Sequence, residues 1–218
     1  WYTVEDAAGN KDSVVRIINV IDDVDPVLTL NGNDTISMEV FGQLNDPGYT
    51  VTDNYYSTVS VSVDMSMVNT SLVGVYPMTY TAEDGSGNTV TATRYVSVED
   101  NTLPVLKLIG SDTVIVDVFS SYNEQGAFVT DNYCNGLLWN VDMTPNTNVL
   151  GEYLLTYSAT DCQGNEAIEV TRLVKVLDRK APVIVLYGFA AENILRWKPY
   201  TDPGVIITDN YYDETTLQ

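Results

Sequence analysis

One pattern of landmarks recurs along this chain at a step of about 78 residues, and it constrains the fold more than any other feature. Pro26, Pro104 and Pro182 stand one step apart. The same step separates three arginines and three Asp-Asn pairs, namely Arg16, Arg94 and Arg172, and the pairs that begin at Asp53, Asp131 and Asp209. A chain built by repeating one unit supplies length or many copies of a surface, rather than a single catalytic centre.

The repeat divides the chain into two full units and two partial ones. We assign the full units to residues 23–100 and 101–178. Residues 1–22 match the C-terminal part of a preceding unit, and residues 179–218 match the N-terminal part of a following one. A unit of this size lies near the lower limit for a self-sufficient core. We therefore expect a window from a longer repeat protein, rather than two half-units that complete each other between molecules.

The charge of the chain restricts its partners. There are 30 acidic and 10 basic residues, which give a formal net charge of −20, and there is no histidine. Without a basic patch we expect no binding to nucleic acid or to anionic membranes, and no apolar run is long enough to span a bilayer. The acidity favours divalent cations or simply high solubility. With no nucleophile–base pair, phosphate loop or Cys/His metal motif, we predict no enzymatic activity in this segment.

Each unit is predicted to consist of short strands, because helical periodicity is absent and Thr, Val, Tyr and Ile are abundant. Gly, Pro, Asn and Asp mark the turns between them. In the last two strands apolar residues alternate with polar ones. Six strands are expected in the first full unit: Val27–Leu30, Thr35–Val40, Tyr49–Thr52, Thr58–Val63, Val75–Ala82 and Thr89–Val98. This pattern predicts an all-β fold, a two-sheet antiparallel sandwich.

A motif at the end of each full unit makes a resemblance specific. Gly74-x-Tyr76-x-x-x-Tyr80-x-Ala82-x-Asp84-x-x-Gly87-Asn88 recurs as the segment from Gly151 to Asn165. This motif resembles the penultimate strand, tight loop and final strand of bacterial surface immunoglobulin-like (Ig-like) repeats, and the chain is also similar to hyalin-type repeats. The resemblance implies tandem Ig-like β-sandwich domains arranged as an elongated stalk. It implies an extracellular or cell-surface adhesin, filament or multidomain secreted protein.

Two functions from different classes are compatible with these features. The first is a structural spacer, whose partners are neighbouring Ig-like repeats of the same chain and other copies in a filament. The second is a glycan- or protein-binding module of a secreted enzyme or receptor. Tyrosines follow the Asp-Asn pairs and could stack on sugars, or they could simply pack within their loops: Tyr55, Tyr56, Tyr133, Tyr211 and Tyr212. A ligand patch on every unit would favour binding, and patches that face the adjacent domain would favour a spacer.

The two cysteines, Cys134 and Cys162, both fall in the second full unit, and their counterparts in the first are Tyr56 and Gly85. Residues that appear as a pair suggest a bond, so we predict a disulfide and an oxidising, extracytoplasmic setting. Two buried free thiols are the alternative. A disulfide would make the Asp-Asn loop a neighbour of the last hairpin turn, because a cystine requires closely spaced α-carbons. That placement favours a split edge strand formed by the first two segments.

Acidic and amide side chains would then collect where each unit begins. Calcium prefers six to eight oxygen ligands of this kind. Our candidate calcium ligands are Asp22, Asp23, Asp25, Asp53, Asn54, Asp84 and Asn88 in the first full unit, and Glu99, Asp100, Asn101, Asp131, Asn132, Asp161 and Asn165 in the second. The alternative is that Asp and Asn only cap turns through their own side chains. The segment before Pro182 is a poorer candidate, since Arg179 and Lys180 follow Asp178.

Four further residues are predicted to have structural roles. Arg94 and Arg172 share the inward parity of the final strand, and we expect each to pair with a carboxylate of its own domain. The alternative is a cation that grips a ligand. Tyr76 and Tyr153, each two residues after a glycine, are expected to pin the penultimate strand.

Overall fold

The computed structural model describes residues 1–213, and it divides into two compact units, Trp1–Asp100 and Asn101–Gln218. Every regular element in the described part of the chain is a β-strand. No helix among residues 1–213 is long and apolar enough to cross a membrane. Each unit contains one full repeat and one partial repeat, and each is described by itself.

The first unit begins with an exposed antiparallel hairpin, in which β1 (Tyr2–Glu5) pairs with β2 (Lys11–Val14). The full repeat follows with six strands. They are β3 (Val27–Leu30), β4 (Thr35–Glu39), β5 (Tyr49–Thr52), β6 (Ser60–Asp64), β7 (Gly74–Glu83) and β8 (Thr89–Glu99). The predicted strands match these within one residue at each end, except that β6 begins two residues later than predicted.

Two sheets form the sandwich of the first repeat. One is the pair β3–β5, and the other has the order β4-β8-β7-β6. The first two segments therefore do form a split edge strand, with one half in each sheet. The predicted antiparallel sandwich is confirmed for the other strand pairs of this repeat, and the exception is β4, which runs parallel to β8. The chain passes from β3 to β4 without forming a hairpin between them, so β4 enters the second sheet alongside the final strand.

The core of the first repeat is built from alternate residues of the two longest strands. Met78, Tyr80 and Ala82 of β7 and Val96 and Val98 of β8 are almost completely buried, and the residues between them are less so. Because successive side chains of a strand point to opposite faces, this alternation places one face of the sheet in the core.

The second unit repeats this architecture. Its strands are β9 (Val105–Leu108), β10 (Thr113–Asp117), β11 (Ala127–Thr130), β12 (Trp139–Val141), β13 (Gly151–Ala159) and β14 (Val170–Leu177). The sheets are β9–β11 and β10-β14-β13-β12, again with a parallel first pair. Leu106, Leu155, Tyr157 and Val174 lie in its core. The partial repeat that follows contributes β15 (Val183–Leu186), which is exposed along its length, and β16 (Val205–Thr208), which pair antiparallel.

Candidate cation-binding site

The Asp-Asn loop of the first repeat follows β5, and one aspartate organises it. Asp53 Oδ1 accepts hydrogen bonds from the backbone N–H groups of Tyr55 (3.0 Å) and Tyr56 (2.7 Å). This is the turn chemistry expected of an Asp side chain. The second carboxylate oxygen, Oδ2, is buried and has no hydrogen-bond partner. One oxygen of Asp53 therefore holds the loop, and the other is available to a ligand.

A second aspartate organises the hairpin between β7 and β8. Asp84 is only 7% exposed, and its Oδ1 accepts from the N–H groups of Ser86 and Asn88, while Oδ2 accepts from the Asn88 amide at 2.7 Å. Burial raises the pKa of Asp84, but the bonds from Asn88, Ser86 and Gly87 outweigh it and hold the pKa below its usual value. The carboxylate is therefore negatively charged at neutral pH.

The segment that precedes Pro26 completes the group. Asp22, Asp53 and Asp84 each present a carboxylate oxygen, and these oxygens all lie within 4.8 Å of one another. The Asn88 amide also donates to the main-chain carbonyl of Asp22 at 3.3 Å, so the hairpin holds this segment in place. Asp22 Oδ2, like Asp53 Oδ2, is buried without a hydrogen-bond partner. We refer to Asp22, Asp53 and Asp84 as the carboxylate cluster.

The donor set of the carboxylate cluster fits a hard divalent cation. Three carboxylates at this separation repel one another, and two of their oxygens are removed from water without compensation. Calcium binds oxygen ligands of this type and takes additional ones from carbonyls, amides and water. Asn54 and Ser86 line the same shallow cavity as Asp22. These three carboxylates could therefore hold a metal ion.

The structure does not bring every candidate ligand into this cluster. Asp23 and Asp25 are exposed, as are Asn54 and Asn101. Glu99 lies on β8 and accepts from the hydroxyls of Ser37 and Ser97. Asn88 serves the cluster as a donor that orients Asp84.

The second repeat has the same two loop carboxylates. Asp131 Oδ2 accepts from the N–H groups of Tyr133 and Cys134, and Asp131 Oδ1 is buried without a hydrogen-bond partner. Asp161 is bonded by Gln163 and Asn165 as Asp84 is by Ser86 and Asn88. Burial raises the pKa of Asp161, and these hydrogen bonds bring it below its usual value. Asn132 is exposed, and the counterpart of Asp22 is Asp100, a buried residue that ends the first unit.

The Asp-Asn loop is fastened to the last hairpin in both repeats. In the second repeat Cys134 and Cys162 form a disulfide, with α-carbons 5.7 Å apart. In the first repeat the Tyr56 ring lies against Gly85, where a Cβ atom would come within 2.3 Å of Tyr56 Cε1. Tyr56 Oη is also hydrogen-bonded to Ser86 Oγ at 3.0 Å. The fastening keeps the two loop carboxylates beside each other, and it commits the Tyr56 ring to packing within its own domain.

The predicted arginines lie at the opposite ends of the sandwiches and join the two sheets. Arg94 is fully buried and donates to Asp46 Oδ1 (2.7 Å) and to the carbonyls of Asn31 (2.6 Å) and Gly48 (3.2 Å). Arg172 has equivalent partners in Glu124, Ile109 and Gly126, and its Nε additionally donates to the carbonyl of Ser111. Each guanidinium thus links the final strand to two turns of the smaller sheet.

Two buried tyrosines accompany the arginines. The Arg94 guanidinium lies 5.9 Å from the ring centre of Tyr80, and that of Arg172 lies 5.5 Å from Tyr157. Burial raises the pKa of Tyr80 to about 12, and the Asp46 carboxylate adds to the increase. Burial raises the pKa of Tyr157 as well, reinforced by Glu124.

Tyr76 and Tyr153 close the turn that precedes the penultimate strand. Tyr76 Oη donates to the carbonyl of Leu72 at 2.8 Å, and Tyr153 Oη donates to that of Val149 at 3.1 Å. Each hydroxyl reaches back four residues, which fixes the start of β7 or β13.

Two sets of residues were not predicted from the sequence. One is Asp46 and Glu124, the partners of the arginines, although all four residues follow the repeat step. The other is Phe41, Phe119 and Trp197, which have positive φ angles of 61°, 65° and 71°. Their common spacing in the repeat was the signal that could have found them.

Comparisons with known proteins give a consistent assignment. The family described as "Bacterial surface protein, Ig-like domain" matches residues 28–98 and 106–176. An 81.3 kDa protein of Acholeplasma phage L2, named only as uncharacterized, is 28% identical over 76% of this chain. Hyalin of Strongylocentrotus purpuratus is 29% identical over 86% of the chain, and hyalin of Lytechinus variegatus is 29% identical over 84%.

The chain spans 24%, 17% and 37% of the lengths of these three relatives. Two solved structures are also similar. The lipoprotein BT2262 from Bacteroides thetaiotaomicron has a TM-score of 0.29 at 20% identity, covering 65% of this chain and 53% of that one. The protocadherin gammaB7 EC3-6 cis-dimer has a TM-score of 0.34 at 16% identity, covering 94% and 66%. TM-scores this low support no argument about function.

Proposed function

Because the chain belongs to the family of bacterial surface proteins with an Ig-like domain, we propose that its repeats form a structural spacer whose linkers are fixed by calcium. Membership of this family gives the chain an extracellular or cell-surface location and a structural or adhesion-related role. Ig-like repeat domains are typically non-enzymatic, and we propose no catalysis for this segment.

The carboxylate cluster is the observation that carries the proposal. Asp22 belongs to the segment that precedes the repeat, whereas Asp53 and Asp84 belong to the repeat itself. A cation bound by all three would attach the linker to the loops. Without one, the buried unpartnered oxygens of Asp22 and Asp53 would repel each other and loosen the linker. Calcium would therefore change the stiffness of the linker, and it would leave the apolar core of each repeat intact.

The fastened loops support the same proposal. The Tyr56 ring and the Cys134–Cys162 disulfide each fix the distance between an Asp-Asn loop and a hairpin before any cation binds. A preorganised set of ligands binds with a smaller loss of conformational entropy. The alternative function, glycan recognition by tyrosines of this loop, has fewer rings available, since Tyr56 is occupied in this packing.

Calorimetric titration of the full chain with calcium tests the proposal. We expect dissociation constants of roughly 10⁻⁴–10⁻³ M, the range of extracellular calcium modules. Asp53→Asn retains an oxygen for the N–H groups of Tyr55 and Tyr56 but removes a charge from the cluster, so it should abolish one site. Asp25→Asn changes an exposed residue of the same linker outside the cluster and is the matched control.

Each outcome of the titration decides whether calcium binds at the carboxylate cluster. Loss of one site in Asp53→Asn and retention of all sites in Asp25→Asn would support the carboxylate cluster as the ligand set. Equal binding by both variants would place calcium elsewhere. Absence of any binding by the unmodified chain would leave these aspartates as turn formers alone.

A further inference from the structure

An aromatic residue with left-handed backbone geometry stands at the same place in all three repeats that the chain samples. Phe41, Phe119 and Trp197 are each the third residue of a tight turn. In each turn, the residue after the aromatic one donates its N–H to the carbonyl of the first turn residue, three positions earlier. The pairs are Gly42 to Glu39, Ser120 to Asp117, and Lys198 to Leu195. The three turns therefore share one backbone conformation.

This conformation is unfavourable for an aromatic residue. Positive φ in this region suits glycine, and to a lesser degree asparagine and aspartate, because other side chains crowd the following carbonyl. Core packing does not compensate, since all three rings are more than half exposed to solvent. A strained conformation that recurs without burial points to a role for the exposed ring itself.

The second unit shows what such a ring contacts. The Phe119 ring lies 6.0 Å from that of Tyr211, at an interplanar angle of 38°. Tyr211 belongs to the Asp-Asn loop of the following repeat, where Asp209 Oδ1 accepts from its N–H at 2.9 Å. Beside this contact, Asp117, in the same turn as Phe119, accepts from Arg179 of the intervening segment at 2.5 Å.

We infer that the exposed ring of this turn is a docking surface for the first tyrosine of the Asp-Asn loop in the next repeat. The partner it fits is a further Ig-like repeat of the same type, recognised by ring-to-ring packing. Phe119 and Tyr211 form one such joint. Trp197, 87% exposed in the equivalent turn, presents the same surface to the loop of another repeat.

The tyrosine side of the joint is also prepared before docking. In the loop of Tyr211, the ring packs edge-on against Tyr212 with centroids 5.3 Å apart and an interplanar angle of 83°. In the first repeat Tyr55 and Tyr56 adopt the same arrangement at 5.0 Å and 85°. Tyr55 is 70% exposed, so its ring is available to the aromatic turn of another repeat. This joint uses different residues from the carboxylate cluster and does not depend on a cation.

Amide hydrogen exchange of the full chain tests this inference, with β15 and β16 as the reporter and β13 and β14 as the measure of whether the second repeat stays folded. Phe119→Ala removes the ring and should accelerate exchange in Val205–Thr208 by roughly two- to tenfold, the effect of losing one aromatic pair. Phe119→Gly also removes the ring but relieves the backbone strain, so exchange should rise in β16 without rising in β14. Phe119→Trp, which copies the third repeat, should retain protection.

Tyr211→Ala and the double variant with Phe119→Ala complete the comparison. The two substitutions should be non-additive if the rings act together. Phe128→Ala, which changes another exposed phenylalanine of the second repeat, is the control and should leave β16 unchanged. If Phe119→Gly and Phe119→Ala leave exchange in β16 at the level of Phe128→Ala, or if their effects add to that of Tyr211→Ala, the joint does not exist.

Discussion

In the first repeat a tyrosine ring over a glycine holds the Asp-Asn loop to the last hairpin, whereas in the second a disulfide joins the same two loops. Two other features are the same in both repeats. An aspartate caps each of the joined loops, and a buried arginine lies at the far end of the sandwich. The two repeats therefore have the position of these loops in common, and they differ in the chemistry that fixes it. Side-chain packing in one repeat and a covalent bond in the other hold the Asp-Asn loop beside the last hairpin.

Both repeats contain a fully buried arginine that donates to a carboxylate and to backbone carbonyls, and its removal should have the largest effect. Arg172→Ala removes the buried guanidinium that donates to Glu124 and to three carbonyls, and we expect a loss of about 3–5 kcal/mol in the free energy of unfolding. Arg172→Met should be much milder, since it retains the apolar stem. Arg94→Ala should cost less than Arg172→Ala because the Nε of Arg94 has no hydrogen-bond partner to lose.

Denaturant unfolding measures these losses in the free energy of unfolding. Hydrogen exchange of the same variants shows which repeat is destabilised. The matched control is Lys175→Ala, which removes a half-buried cation from the same strand and its ion pair with Glu152. An Arg172→Ala loss no larger than that of Lys175→Ala would contradict a clamping role for the arginine.

Removal of the disulfide should have the next largest effect on stability, and it should affect the second repeat but not the first. The bond closes a loop with a sequence separation of 28 residues, so Cys134→Ser with Cys162→Ser should destabilise the second repeat by about 3 kcal/mol. Reduction of the unmodified chain should do the same. The first repeat, which lacks cysteine, should keep its hydrogen-exchange protection. Equal changes in both repeats, or no change in the second, would show that the disulfide is not what fixes these loops in the second repeat.

The packing of Tyr56 on Gly85 can be tested by one methyl group. Gly85→Ala would place a carbon 2.3 Å from the ring, so the ring must move, at a cost of roughly 1–3 kcal/mol in the first repeat. Gly85 does not have a positive φ angle, so the effect reports packing rather than backbone strain. In a Tyr56→Ala background the same substitution should cost much less. Thermal unfolding should be measured for the unmodified chain, the two single variants and the double variant. Additive losses of stability would rule out a contact between Tyr56 and Gly85.

The smallest effect at neutral pH is expected from Tyr80→Phe, and it should become visible only in alkali. The folded first repeat raises the pKa of Tyr80 from 10 to about 12, so it retains a proton that the unfolded chain loses. The resulting stability is complete below pH 10 and is lost as pH rises from 10 towards 12. Tyr80→Phe should flatten this decline, and Tyr95→Phe, at an exposed tyrosine of β8, should retain it. An identical decline in both variants would exclude Tyr80 as its source.

Period-two patterning and turn residues were sufficient to place the six strands of the first repeat, because both are local properties of the sequence. The parallel pairing of β4 with β8 was not predictable in this way, since it depends on how the chain crosses between sheets. The carboxylate cluster was anticipated as a region, but Asp23 and Asp25 are exposed and are not part of it. Individual ligands depend on side-chain directions within a loop, which no periodicity records. The Tyr56–Gly85 contact was not predicted, because no sequence motif marks a tyrosine and a glycine as contact partners.

We propose above that calcium at the carboxylate cluster stiffens the linkers of a spacer. Small-angle X-ray scattering of the full chain, recorded in calcium and then in chelator, tests it most directly. We expect a larger and more sharply defined maximum dimension in calcium, with far-ultraviolet circular dichroism unchanged because each repeat keeps its core. Asp53→Asn should reduce this response, and Asp25→Asn should preserve it. An unchanged maximum dimension in the unmodified chain at calcium concentrations that saturate calorimetric binding would contradict the claim.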